Sequence, residues 1–470
     1  MTGQISQARR NRGPLILSAA TASTPRNWSL PNDTSREFTR DLNQSIEFAK
    51  LAEKAKFHNV FFVDHLTWFD VYGDSHEGSA KYGVNAPRID PSLLVSALAS
   101  HTKSIGFITT LSTISEHPYH FARRLASLDH LSDGRAGWNI VASYLPSVGK
   151  NLLDGAPIPE HSERYVKTEE YLDAVYELLL SSWRDDALGK YFSIKGPAIT
   201  EPTKQRFPLV VQAGSSEKGI EFAAENAELV FIDTKSTDKI PEIRKLAETR
   251  FNRDPYSIKF ITSLLPFIGN THQEALDKFE EYKKAENLEA NLVFFGGISG
   301  FDLSKYGWDE EVGDQGESNA IKSITKTVLN GDKGGQTKTD IAKKYGTRLS
   351  FAGTASEVAD QIEDLLSKAD IDGFNFIVSP YPGMLIDIVE LLVPELQRRG
   401  LAQTEYSVPG GTLRENFYGE EGKTFLSGDH PAYNLRWRKG VSKEQFEKEL
   451  SLYKALRNER RKSNIGKSKK

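Results

Sequence analysis

Eight short runs, apolar on both faces, recur along this chain with stretches of helical apolar spacing between them. They are Leu15–Ser18, Val60–Val63, Ile105–Thr109, Ala136–Val141, Leu209–Gln212, Leu229–Ile232, Ile258–Leu264 and Gly373–Val378. Strands buried on both sides read this way when they lie side by side in a parallel sheet. Between them, Phe38, Leu42, Ile46, Ala49 and Ala52 share one helical face, and Phe121, Leu125 and Leu128 another. The second of these opens with His117-Pro118, a proline suited to a helix's first turn. Tyr165, Leu172, Val175, Leu179 and Trp183 line a long third helix. An open sheet of this size usually carries a glycine-rich phosphate fingerprint, and neither G-x-G-x-x-G nor G-x-x-x-x-G-K-[ST] occurs. The expected fold is therefore α/β, a (β/α)8 TIM barrel with insertions and a C-terminal extension. Residues 1–400 are assigned to the barrel, with an insertion at about 272–350 whose polar, Gly-rich Asn330–Lys338 reads as a mobile loop over the substrate. Residues 401–470 form the extension, where Ser442 to Arg457 is predicted as an amphipathic helix on the outside, followed by a basic, solvated tail.

The chain has no cysteine, which removes disulfides, thiolate metal sites and cysteine nucleophiles together. Its formal charge of −4 argues against nucleic acid as the main partner. No apolar run is long enough to span a bilayer, and the stretch from Met1 to Pro14 lacks the apolar core of a secretory signal. A cytoplasmic protein is expected.

In a barrel, chemistry collects where strands end, so the residues just past each apolar run are the candidates. The second run ends in F-F-V-D-H, giving Asp64 and His65, which an extended strand would point to opposite faces. The third ends at Thr109-Thr110, and the fourth, W-N-I-V-A-S, holds Asn139 within it and Ser143 past it. H-S-E-R-Y then places His161 and Tyr165 one turn apart on a helix. The fifth ends in Q-A-G-S-S-E-K-G: Ser215 and Ser216 are favoured cap residues, and a helix start offers free N–H groups to a phosphate. By themselves such serines are more commonly simple helix caps, and a lone tyrosine like Tyr165 is more often a core residue with a satisfied hydroxyl. His117 and His120 stand at i, i+3 without an evident third ligand.

These pieces, in this order, resemble the bacterial-luciferase-like flavin monooxygenases. The subgroup holding nitrilotriacetate, dibenzothiophene-sulfone and long-chain alkane monooxygenases is the nearest. The most specific match is H-P-Y-H-F-A-R-R-L-A-S-L-D-H-L-S-D-G-R-A-G-W-N-I-V-A-S, from His117 to Ser143. F-F-V-D at Phe61–Asp64, H-S-E-R-Y at His161–Tyr165 and V-Q-A-G-S-S at Val211–Ser216 support it. The resemblance implies an FMNH2-dependent monooxygenase that uses O2 to oxygenate a small organic substrate, a sulfur- or nitrogen-containing compound among the candidates. It implies FMN reduced by a separate NAD(P)H-dependent flavin reductase, and a homo-oligomer, dimer or tetramer. Carried over by position, Asp64, Thr110, Asn139 and His161 would surround the isoalloxazine or ribityl chain, with His161 also catalytic. Tyr165, Ser215 and Ser216 would hold the phosphate. Many relatives carry a Gly-His pair after the first strand. Ala19 to Ser29 contains no histidine here, so a substrate role for that residue does not transfer. Two other readings stand beside this one: a metal-dependent barrel hydrolase built on Asp64, His117 and His120, and a flavin-binding protein without catalysis.

Overall fold

The structure is a computed structural model, which describes residue 9 and residues 12–21, 29–180, 187–188, 191–214, 216–313, 336–346 and 349–467. All eight expected strands form: β1 (Ile16–Thr21), β2 (Asn59–Phe62), β3 (Gly106–Ser112), β4 (Ala136–Val141), β5 (Leu209–Ala213), β6 (Leu229–Phe231), β7 (Lys259–Gly269) and β8 (Gly373–Val378). Each pairs in parallel with its neighbours, and β8 returns to β1 with Ile16 opposite Gly373, closing the barrel. That closure depends on a bare backbone: a Cβ on Gly373 would sit 2.0 Å from the Ile16 carbonyl oxygen.

The flanking helices are α1 (Leu42–Lys54), α2 (Ser92–Ser100), α3 (Pro118–Leu131), α4 (His161–Leu180), α5 (Glu217–Asn226), α6 (Ile240–Phe251) and α7 (Ala355–Lys368). Their starts are fixed locally. The Asp41 carboxylate accepts from the Asn43 N–H, Pro118 occupies the first turn of α3, and Thr354 and Glu357 form a capping box on α7. The face expected for the first helix needs correction. Phe38 belongs to a preceding 3-10 turn, and Leu42, at the helix start, is 45 % exposed, while Ile46, Phe48, Ala49 and Ala52 are buried. In the long α4, Leu172, Val175 and Leu179 are buried as the spacing required and Tyr165 is partly buried; Trp183 lies outside the described residues. On the outer face of β4, Trp138 packs between Phe121 and Tyr171, and its indole N–H donates to the Leu111 carbonyl at 2.9 Å.

Between β7 and β8 the chain adds helices at His272–Lys284, Leu288–Ser299 and Lys338–Gly346. It then forms an extra strand, Ser350–Thr354, on the far half of β7. Of the loop expected at Asn330–Lys338, residues 330–335 lie outside the described residues, and the lid expected there lies outside with them. The C-terminal segment closes the opposite end of the barrel. Leu413 packs where side chains on Gly106 and Gly137 would stand, and the next residue, Arg414, is fully buried in a two-pronged pair with Glu228 at 2.8 and 2.9 Å. The outer helix runs from Lys443 to Lys467, longer than the spacing predicted, and its Arg457 pairs with Asp173 of α4 and Glu225 of α5. Among the described residues, no helix is long and apolar enough to cross a membrane.

Candidate active site

The C-terminal ends of the barrel strands open into one cavity of about 980 Å³. Six of the seven residues singled out from the sequence line it: Asp64, Thr110, Asn139, His161, Tyr165 and Ser216. The seventh, Ser215, lies outside the described residues.

One end is built on the start of α5. Ser216 is its N-cap, with Oγ accepting from the Gly219 N–H at 3.1 Å. Tyr165, one turn into α4, brings its phenol over this cap and hydrogen-bonds Ser216 and Gln212. Burial pushes the phenol's pKa up, so it stays a proton donor. The backbone beneath is kept bare. A Cβ on Gly219 would lie 3.1 Å from both Ser216 Oγ and Tyr165 Oη, and one on Gly214 would lie 2.4 Å from Gln212 Nε2. His161 stacks at a tilt on Tyr165, with ring centroids 5.0 Å apart, as the i, i+4 spacing required.

Side-chain amides mark the middle of the cavity. Asn139 donates to Thr110 Oγ1 at 3.0 Å across the β3–β4 pairing, while its own Oδ1 is buried without a partner among the described residues. Gln212 Oε1 and Asn375 Oδ1 line the same cavity and are likewise buried without a partner among the described residues. Buried amide oxygens usually find a donor, so these three have the chemistry of a site that accepts hydrogen bonds from a ligand. Phe61 and Phe231, 4.3 Å apart, provide an apolar wall.

The other end lies past β2. The strand stops at Phe62, so Asp64 and His65 are not on opposite faces of a strand as the extended geometry suggested; both line the cavity. Asp64 is raised to about 6, chiefly by burial, with nearby Asp90 adding to the rise and Arg88 opposing it. His65 is lowered to about 3 by burial and the field of Arg88, so its ring is neutral. The proposed metal set dissolves. His117 spends its ring nitrogen on the cap of α3, accepting from the Tyr119 N–H at 3.3 Å, and His120 faces Glu116 on the protein surface. Among the described residues, no three His, Asp or Glu side chains gather in a way that could hold a metal ion.

A barrel whose open end combines a capped helix start, a buried tyrosine and acceptor amides is matched by one family model, described as luciferase-like monooxygenase, over residues 20–372. The chain belongs to the luciferase-like monooxygenase family. It shares 38 % identity with the long-chain alkane monooxygenase of Geobacillus thermodenitrificans, over 87 % of this chain and 94 % of that protein. Nitrilotriacetate monooxygenase component A of Aminobacter aminovorans is 30 % identical over 83 % of this chain and 92 % of its own. The crystal structure of a long-chain alkane monooxygenase superposes with a TM-score of 0.80 at 36 % identity, covering 90 % of this chain and 99 % of that one. A riboflavin lyase solved with modified FMN and riboflavin superposes with a TM-score of 0.82 at 29 % identity, covering 90 % of this chain and 100 % of that one. Proteins of this family are flavin-dependent monooxygenases, a class of oxidoreductases.

Several cavity residues escaped the sequence reading, Gln212, Asn375, Asn85 and Arg88 among them. Gln212 and Asn375 left a signal, since a lone amide inside a buried strand needs a partner. Asn85 and Arg88 left none: they lie in an irregular segment before α2 that only the folded chain brings to the mouth.

Proposed function

We propose that this chain is the oxygenase component of a two-component system, taking reduced FMN from a separate NAD(P)H-dependent flavin reductase and using O2 to oxygenate a small organic substrate. The observation that carries this reading is the continuity of the cavity. A single continuous cavity joins the Ser216-capped start of α5, with Tyr165 above it, to the amide oxygens of Asn139 and Gln212, which have no partner among the described residues. FMN has the complementary parts, a phosphate at one end and a hydroxylated chain and ring N–H group toward the other. A relative named as component A and a neighbour solved with modified FMN support both the second component and the flavin.

The residues present fit FMN. Ser216 Oγ, Tyr165 Oη and the free N–H groups of the first turn of α5 would bind the phosphate, with the helix dipole adding attraction. Ser215 is assigned to the same phosphate from its place in the sequence. Asn139 and Thr110, already hydrogen-bonded to each other, would orient the ribityl chain or ring. Reduced flavin supplies the two electrons that let one atom of O2 enter the substrate while the other leaves as water. Phe61 and Phe231 keep bulk water from that face of the cavity. Asp64, titrating near pH 6, can hold or release a proton at its carboxylate close to neutrality. His161 is assigned to orient the flavin and to move a proton on its imidazole during oxygen transfer.

Anaerobic titration of the protein with reduced FMN tests the flavin site. A coupled reaction with NADH, FMN and a generic flavin reductase tests oxygenation, with a panel of sulfones, aminopolycarboxylates, alkanes and nitrogen heterocycles read by mass spectrometry. Saturable binding and a product gaining one oxygen atom are expected; absence of binding would sink the reading. His161→Ala is expected to lower product yield, and a variant keeping both FMNH2 affinity and yield would remove His161 from the mechanism.

A further inference from the structure

The outer wall of the cavity is formed by residues the flavin reading leaves unused. Leu66, Trp68 and Ile89 line the mouth and are 37 %, 40 % and 41 % exposed, an unusual cluster of large apolar side chains at a site entrance. Among them stands one guanidinium, that of Arg88. Its Nε donates to the backbone oxygen of Asn85 at 3.0 Å and to Asn85 Oδ1 at 2.9 Å, and its Nη1 donates to the Val63 carbonyl at 2.7 Å. All three acceptors are neutral, so they fix the side chain without cancelling its charge. Arg88 Nη2 has no acceptor among the described residues, and no carboxylate among them forms an ion pair with Arg88.

The contrast with Arg124 on the same wall is informative, because that side chain is paired with both Glu116 and Asp90. Asp64, the carboxylate whose field reaches Arg88, titrates near 6 and is mostly ionised at neutral pH; it lowers the net charge of this wall but forms no ion pair with the guanidinium, so Nη2 stays open to a ligand oxygen. An arginine clamped along one edge and open at the other is preorganised, so a ligand oxygen arriving there does not have to order the side chain.

We propose that Arg88 selects the substrate, receiving the anionic oxygen group, carboxylate or sulfonate, of a molecule whose apolar body lies against Leu66, Trp68 and Ile89. The word substrate rests on the oxygenase reading; the anion preference rests on the geometry alone. Such a molecule enters head first, its charge meeting the only open guanidinium edge described on this wall. A neutral hydrocarbon of the same length would gain the apolar contacts but leave Arg88 desolvated and unpaired.

The test compares octanoate, octane-1-sulfonate and octan-1-ol, which share one apolar chain, by calorimetric titration of the whole protein with and without saturating FMN. A charge-assisted hydrogen bond in a partly buried site predicts that both anions bind about tenfold or more tightly than the alcohol. The preference should shrink as KCl rises from about 0.05 M to about 0.5 M. In Arg88→Met the ratio should fall to about one with alcohol affinity retained, and Arg88→Lys, which keeps charge but loses the fork, should lie between. Retained alcohol binding doubles as the control that the variants are folded. If a variant does not fold, the wild-type ratio and its salt dependence decide the matter. Equal wild-type affinity for octanoate and octan-1-ol would overturn the proposal, as would an anion preference that survives Arg88→Met. So would loss of the preference when FMN saturates the protein, since the cofactor phosphate would then be the group Arg88 serves. Failure of the wild-type protein to bind FMN would instead strike the flavin reading, and the octanoate ratio would still be judged by itself.

Discussion

Asp64→Asn should make the protein more stable at neutral pH while impairing turnover. The carboxyl is raised from its ordinary 3.8 to about 6, so the folded protein binds this proton more tightly than the unfolded chain does. Stability therefore falls as pH rises from about 4 through 6 and is flat above, where the charged carboxylate is held at a cost. At about 1.4 kcal/mol per pH unit the rise corresponds to about 3 kcal/mol. Asp64 faces a solvent-accessible mouth beside Arg88 and Asp90, so screening reduces the recoverable part to about 1–2 kcal/mol. The amide is nearly isosteric with the protonated acid, so the variant should match the wild type near pH 4.5 and exceed it at pH 7.5. For a chain of this size that is about 1–2 °C in thermal midpoint. Paired thermal scans across about pH 4.5–7.5, with urea titrations at both ends, measure it. The substituted amide cannot take or give the proton, so product yield in the coupled reaction should drop as stability rises. A variant no more stable than the wild type at neutral pH, or one whose advantage does not change with pH, would refute the attribution of this shift to burial.

Ser216→Ala should remove both a helix cap and a phosphate donor: a loss of about 1 kcal/mol in stability, with FMN affinity falling about tenfold while riboflavin, which lacks the phosphate, binds as before. An equal loss for both flavins would place the phosphate elsewhere. Arg414→Ala leaves the Glu228 carboxylate buried with its charged partner gone and should cost about 3–5 kcal/mol. Arg414→Met combined with Glu228→Gln should recover much of that in denaturant titrations, and failure to do so would mean that the pair's backbone contacts matter more than its charges.

The barrel was legible in the linear chain. Eight runs apolar on both faces can be satisfied only where each strand is covered by helices outside and by other strands' side chains within, and the period of the intervening stretches supplies those helices. Thr110, Asn139, His161, Tyr165 and Ser216 were legible too, because each sits within a few residues of a strand end or helix start whose local signal is strong. Other features arose only on folding. Asp64 and His65 share a cavity because β2 stops earlier than the apolar run suggested, which frees the backbone to turn both side chains inward. His117 is a cap because α3 begins immediately after it, and its ring completes an N–H that would otherwise lack an acceptor. The open edge of Arg88 follows from carbonyls of Asn85 and Val63 that no periodicity encodes. Strand and helix signals are local, so a linear reading finds them; which acceptors surround a guanidinium depends on segments meeting across the barrel mouth, and only the closed sheet sets those distances.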